Sequence, residues 1–310
     1  MIRFGVLPPQ ECGNFDNFLE AVLDCERLNF DSIWMYDHLY PFWKRADEPI
    51  LECWTTLSAL ACETTRLRLG TLVLCNTFRY PSVLAKMAST LDVISGGRLE
   101  FGIGAGFSQL EHASYGIPFE SPAIRVGRLR ESVQIIKKMW TEPKASFEGK
   151  YYSISEAFNE PQPVQKPHPP IWIGGGGEKL TLRIVAELAD GCNFWGLTPD
   201  ECLRKLNVLR IHCSSLGRRM DDISKSWGGE ALVVQDKDEL KKSVERFGLR
   251  GMQAEDYVRR HIVGTPQQCI NKINELKDTG VGYFMLFFPD ILDGQSIEVF
   301  AKEVVPSCRE

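Results

Sequence analysis

The chain has no C-x-x-C pair and no H-x-x-x-H spacing, and its five histidines are scattered. Protein-bound metal of the zinc-site kind is therefore not expected. It also has no excess of basic charge. With 36 Lys and Arg against 41 Asp and Glu, the net charge is −5 and the signs are interspersed, which excludes an electrostatic nucleic-acid surface. The longest noticeable apolar stretch, "GYFMLFFP", is far short of the roughly 18 residues of a membrane span. The opening "MIRFGVLPPQE" has one early basic residue and then prolines and an acid, unlike a signal peptide. A cytoplasmic location with no membrane partner is expected. The ten cysteines are dispersed, and in a reducing compartment they read as small buried hydrophobes.

What is present is an alternation. "IRFGVLP", "DSIWMYDHL", "RLRLGTLVL", "GGRLEFGIGAG", "IWIG", "GCNFWG", "SWGGEALVV" and "GYFMLFF" read as eight strands, nearly every one followed by a helical pattern. Helices are expected over Phe15–Leu28, from "CWTTLSALACETT", and over Pro81–Ile94, Ile124–Trp140, Leu180–Ala189, Pro199–Leu216, Asp236–Phe247, Pro266–Asp278 and Ile297–Val305. Strict alternation forces parallel neighbours with right-handed crossovers, and eight units close into a (β/α)8 TIM barrel. The 310 residues are expected to form one domain. An irregular insertion, about 141–170, separates the fourth long helix from the fifth strand, because the prolines of "EPQPVQKPHPP" forbid helix and central strand alike.

In such a barrel the chemistry sits where strands end. The second strand ends in Tyr36, Asp37 and His38. A histidine beside an acid is often a solvated loop pair, but at a catalytic rim it is the side chain best poised to exchange a proton. Aromatic Tyr40–Trp43 follows, as wall or as core. At the end of the third strand come Leu72, Val73 and Leu74, ordinary barrel filling, and then Cys75, Asn76 and Thr77, small enough to let a planar ligand near the backbone. Gly102, Gly104 and Gly106 fail the dinucleotide fingerprint, since Phe107 stands where G-x-G-x-x-G needs glycine. Gly174, Gly175, Gly176 and Gly177 lie inside one strand-helix unit, where bare amides gather an anion; a domain linker would be flanked by polar sequence. No G-x-x-x-x-G-K-[ST] lysine accompanies them. A phosphate monoester or diester fits better than a nucleoside triphosphate.

"FDSIWMYDHL", the long tract from "LECWTTLSALACETT" to "LEFGIGAG", "YGIPF" and "PPIWIGGGGEKLTLRIVAELADG" together resemble the bacterial luciferase-like superfamily. They resemble most its branch of oxidoreductases dependent on the deazaflavin coenzyme F420. The resemblance implies a barrel with an insertion, a homodimer, and a flavin-type ring at the C-terminal rim. It implies that Asp37 and His38 contact and work beside the ring, with Asp37 holding the histidine tautomer or binding the ring hydroxyl. Trp43, or the adjacent Phe42, matches the nearby aromatic. Leu72 and Val73 match a cis peptide behind the ring, Cys75 and Gly106 its lining, Gly174–Gly177 the phosphate cradle, and Asn193 the next strand end. Two departures, Phe107 in place of a glutamate and the absence of a lysine in "NFWGLTP", speak against glucose 6-phosphate as substrate. The implied activity is hydride exchange between F420 and a small alcohol, carbonyl, imine or alkene, with His38 moving the proton. An FMN-dependent monooxygenase is the alternative, although Asp-His-Leu stands where luciferases tend to Glu-His-His. A cofactor-binding protein without turnover is the third reading.

Overall fold

Local sequence signals start each helix. In α1 (Phe15–Arg27), Asn14 accepts hydrogen bonds from the amides of Asp16 and Asn17, and Phe18, Ala21, Val22 and Cys25 form the buried face. Proline opens α3 (Pro81–Ile94) and α5 (Pro122–Thr141), where its missing N–H has no partner to lose. In α7 (Pro199–Ser215) and α10 (Pro266–Asp278), Thr198 with Glu201 and Thr265 with Gln268 close reciprocal capping boxes. α2 (Cys53–Glu63) is capped by the Glu52 carboxylate, and α6 (Thr181–Leu188) begins without a side-chain cap.

The computed structural model describes residues 2–42, 44–243, 245–246, 252–291 and 295–309. Eight parallel strands close on themselves: β1 (Arg3–Leu7), β2 (Ser32–Met35), β3 (Arg68–Thr71), β5 (Leu99–Gly104), β8 (Ile171–Gly174), β9 (Gly191–Trp195), β10 (Ser224–Val233) and β12 (Tyr283–Phe287). Closure runs through β1 against β12, with Arg3 opposite Tyr283, and through β9 against β10, with Gly191 opposite Ser224. Two short strands extend the rim: β4 (Leu74–Cys75) on β5, and β11 (Ile262–Gly264) on β10. The fold is a (β/α)8 barrel.

Two expectations need correction. The segment between α5 and β8 is less irregular than its prolines suggest. It holds an antiparallel hairpin, β6 (Ala145–Glu148) with β7 (Ser153–Ala157), whose turn is gathered by the Glu131 carboxylate accepting from the amides of Lys150, Tyr151 and Tyr152. Two short helices, α4 (Gln109–Ser114) and α9 (Ala254–Arg260), were not expected, because neither is long enough to show a periodic face. α8 spans Lys237–Ser243, and the Phe247 end expected for it lies outside the described residues.

The interior is filled by size matching. Trp34, Trp172 and Tyr283 meet edge to face at 5.6–5.8 Å between centroids. The Trp34 ring lies over Gly5 and Gly70, and that of Trp172 over Gly191, so close that a β-carbon there would sit 2.2–2.6 Å from indole atoms. Below them the buried Glu100 accepts from Trp172 Nε1 and Arg68 Nε, each at 2.5 Å, and Ser32 Oγ accepts from Trp34 Nε1 and Tyr283 Oη. This plug seals one end of the barrel and leaves the C-terminal strand ends to line the opening.

Candidate active site

A cavity of about 470 Å³ opens at those strand ends. Its wall brings together Asp37, His38, Leu72, Val73, Cys75, Gly106, Gly174, Gly175 and Asn193, which the sequence places on five different segments. His38 and the glycine tract therefore share one chamber. Gly176 and Gly177 sit just beyond the lining, and α6 begins only at Thr181. Trp43 lies outside the described residues, whereas Phe42 lines the cavity.

His38 is held from behind. Its Nδ1 lies 3.0 Å from both carboxylate oxygens of Glu111, which also accept from the amides of Leu39 and Tyr40. Burial pushes the Glu111 carboxyl up, but His38 and these two amides more than offset it, and the group sits below the usual carboxylate range. An ionised carboxylate only accepts, so Nδ1 carries the hydrogen and Nε2 is left for the cavity. Among the described residues Nε2 has no hydrogen-bond partner.

Asp37 does not play that part. Its carboxylate takes both terminal nitrogens of Arg79, at 2.7 and 3.0 Å, and the amide of Cys75 at 2.8 Å. Arg79 also reaches Glu52, the cap of α2, at 2.5 Å. Although burial opposes its charge, Asp37 and Glu52 raise the arginine above its ordinary value. The side chain adjacent to His38 in sequence thus points into a different network, and a residue 73 positions away holds the imidazole.

A second chain reaches the wall at Cys75. His112 Nδ1 lies 2.6 Å from the Ser108 carbonyl, which can only accept, so in the neutral ring Nε2 accepts from Thr77 Oγ1 at 2.6 Å. Thr77 thereby spends its hydrogen, and at 3.1 Å Cys75 Sγ is the donor to it. Burial raises the thiol, which keeps its proton. Gly106, at φ +74°, packs on this chain, and a β-carbon there would stand 2.6 Å from Sγ. Arg79, Glu111 and His112 were not singled out from the sequence, and Thr77 was marked only as a small residue that admits a planar ligand. The only local sign was Ser108, three residues before an acid, which caps α4 and aims Glu111.

The floor and far wall suit a flat ligand with a phosphate. The Leu72–Val73 peptide is cis, and the Val73 side chain occupies the space next to Gly104 and Gly174. Gly175 adopts φ +121°, closed to L side chains at low cost. Among the described residues, the amides of Gly176 and Gly177 have no protein acceptor. Lys205 stands beside Gly176 and is paired with Glu178 at 2.7 Å.

The chain is similar to known proteins along its whole length. The F420-dependent glucose-6-phosphate dehydrogenase of Microbacterium testaceum is 28% identical over an alignment that covers all of this chain and 98% of the relative. Among solved structures, an F420-dependent secondary alcohol dehydrogenase in complex with an F420-acetone adduct superposes with a TM-score of 0.87 at 20% identity, covering 100% of this chain and 99% of that one. The coenzyme F420 dependent tetrahydromethanopterin reductase from Methanopyrus kandleri gives 0.82 at 22% identity, covering 98% and 99%. The family model for luciferase-like monooxygenases matches residues 2–262, and the chain belongs to that family.

Proposed function

We propose that the protein is an oxidoreductase that binds coenzyme F420 and exchanges a hydride with a small organic substrate. The observation that carries this reading is the His38–Glu111 pair beside a glycine-lined cavity. The names of the relatives support the choice of cofactor.

The residues present fit such a group. Gly104, Gly106 and Gly174 leave the wall flat, the cis Leu72–Val73 segment backs it, and the unpartnered amides of Gly176 and Gly177 extend the Gly174–Gly175 wall as an anion site. When bound, a deazaflavin supplies a carbon that gives or takes two electrons as hydride, a chemistry the side chains lack. Glu111 fixes the tautomer of His38, and Nε2 takes or returns the proton on the substrate oxygen. Asp37, held rigid by Arg79, shapes the ring site and fixes the Cys75 amide. Cys75, with its hydrogen turned towards Thr77, offers the cavity a sulfur acceptor. Asn193 closes the wall, donating to Ser226 Oγ at 3.0 Å.

The same reading includes a homodimer and a reducing cytoplasm. Val83, Val93 and Ile94 are exposed on α3, interspersed with Lys86 and Thr90, and give this helix apolar contacts to offer a second copy. All ten cysteines are free, and no helix among the described residues is long and apolar enough to cross a membrane.

Titration of the purified protein with F420 and with FMN, followed by absorbance and fluorescence, tests the cofactor. Micromolar F420 binding with weak FMN binding is expected. The reverse order would make the protein a flavin-dependent monooxygenase, and F420 binding without reduction by any alcohol would make it a carrier.

A further inference from the structure

Phe107 is 65% exposed and Phe42 47% exposed, yet both rings stand against the imidazole of His38. Their centroids lie 5.3 Å from it and 6.1 Å from each other. Trp195, 38% exposed, lines the same cavity from the end of β9. Phe42 and Phe107 are not barrel packing, since each presents a large apolar area to solvent, and Trp195, although seated on Gly228 of β10, still leaves part of its ring open. Exposed apolar surface gathered at the mouth of a cavity marks where an apolar partner becomes buried. The charge in the wall argues the same way. Among the described lining residues the acids are Asp37 and Glu111, and there is no lysine or arginine. Arg79, the cation nearest in the network, is bound on both sides by Asp37 and Glu52. Away from the glycine amides assigned above to the cofactor phosphate, a phosphorylated or carboxylated substrate would meet these carboxylates with no lysine or arginine among the described lining residues to neutralise it.

Resting on the oxidoreductase reading above, we propose that the outer part of the cavity is an apolar substrate chamber for an uncharged alcohol or carbonyl compound with an aryl or branched alkyl substituent. The substituent lies against Phe42, Phe107 and Trp195, and the oxygen meets Nε2 of His38. In the oxidising direction the carbinol C–H bond breaks and its electron pair leaves as hydride to F420. The O–H bond breaks, its proton passes to Nε2, and the carbon-oxygen double bond forms. Reduction of the carbonyl by the reduced cofactor reverses each change. The oxidised cofactor is the electron acceptor, so no further reagent is required.

The test uses the cofactor-loaded protein, titrated calorimetrically with acetophenone and with glucose 6-phosphate. Acetophenone should bind, and Phe107→Ala should raise its Kd by about tenfold or more. Phe107→Leu, which keeps the apolar volume, should stay within about threefold of the unchanged protein. Neither change should move the Kd of F420 by more than about twofold, since Phe107 is assigned to the substrate and not to the ring. Tighter binding of glucose 6-phosphate than of acetophenone, or acetophenone binding indifferent to Phe107→Ala, would overturn the chamber. Failure of F420 to bind is a separate result and defeats the cofactor reading alone. The same two titrations on FMN-loaded or unloaded protein then decide the chamber by the same criteria.

Discussion

An imidazole moves protons in one direction at a time, and a partner must decide which nitrogen faces the substrate. Glu111 makes that decision here. Replacing His38 with alanine should lower kcat by roughly 10² to 10⁴ with little change in F420 affinity; unchanged turnover would remove it from the role. Glu111→Gln should cost roughly 10² in kcat, because the amide no longer selects the tautomer, with the pH-rate profile displaced. The same carboxylate contributes to stability. Its folded value is lowered, so its contribution is present above the ordinary carboxyl value of 4.5 and is lost as pH falls through the lowered value. The gap in urea midpoint between the wild type and Glu111→Gln should therefore close on acidification, and a gap constant with pH would contradict this. At this scale the sequence was half legible. Asp37 and His38 stand out because they follow a strand, whereas Glu111 belongs to a six-residue helix with no periodic face, and its tie to His38 spans 73 positions. Neighbours in sequence at a strand end point different ways, which is why Asp37 looked like the partner and is not.

Among the elements, the tetraglycine tract separates two meanings of glycine. Gly175 needs its conformation, at φ +121°, whereas a β-carbon on Gly176 would meet only the end of the Lys205 chain, at 3.6 Å. Gly176→Val should therefore leave Tm within about 2 °C and raise the Kd of F420 at least about tenfold, because the side chain fills the approach of the phosphate. Equal affinity in the variant would mean that the phosphate lies elsewhere. The long helices were readable because proline, threonine and glutamate mark their starts; α3 and α10 run from Pro81 to Ile94 and from Pro266 to Asp278 as expected. The hairpin of β6 and β7 was not, since its turn depends on Glu131 reaching from another helix.

Across the whole molecule, eight repeats of strand and helix forecast closure, and the hydrogen bonds of β1 to β12 and of β9 to β10 complete it. The polar plug under the aromatic cluster was invisible beforehand, because its members come from five separate strands. Trp172→Phe leaves the buried Glu100 short of one donor and should cost about 1–3 kcal/mol in urea unfolding; a smaller loss would mean that Arg68 and Arg3 suffice to satisfy it. If the proposed homodimer forms through α3, Ile94→Arg should convert it to a monomer in light scattering, and a dimer that survives would place the two-fold axis on another face. The indole rings seated on glycines have a further consequence. Volume in the cylinder is shared between neighbouring strands, so Gly70 cannot enlarge unless Trp34 shrinks, nor Gly191 unless Trp172 does. Drift at these sites must occur as paired exchanges, and a lineage holding alanine at position 70 should carry a smaller ring at position 34.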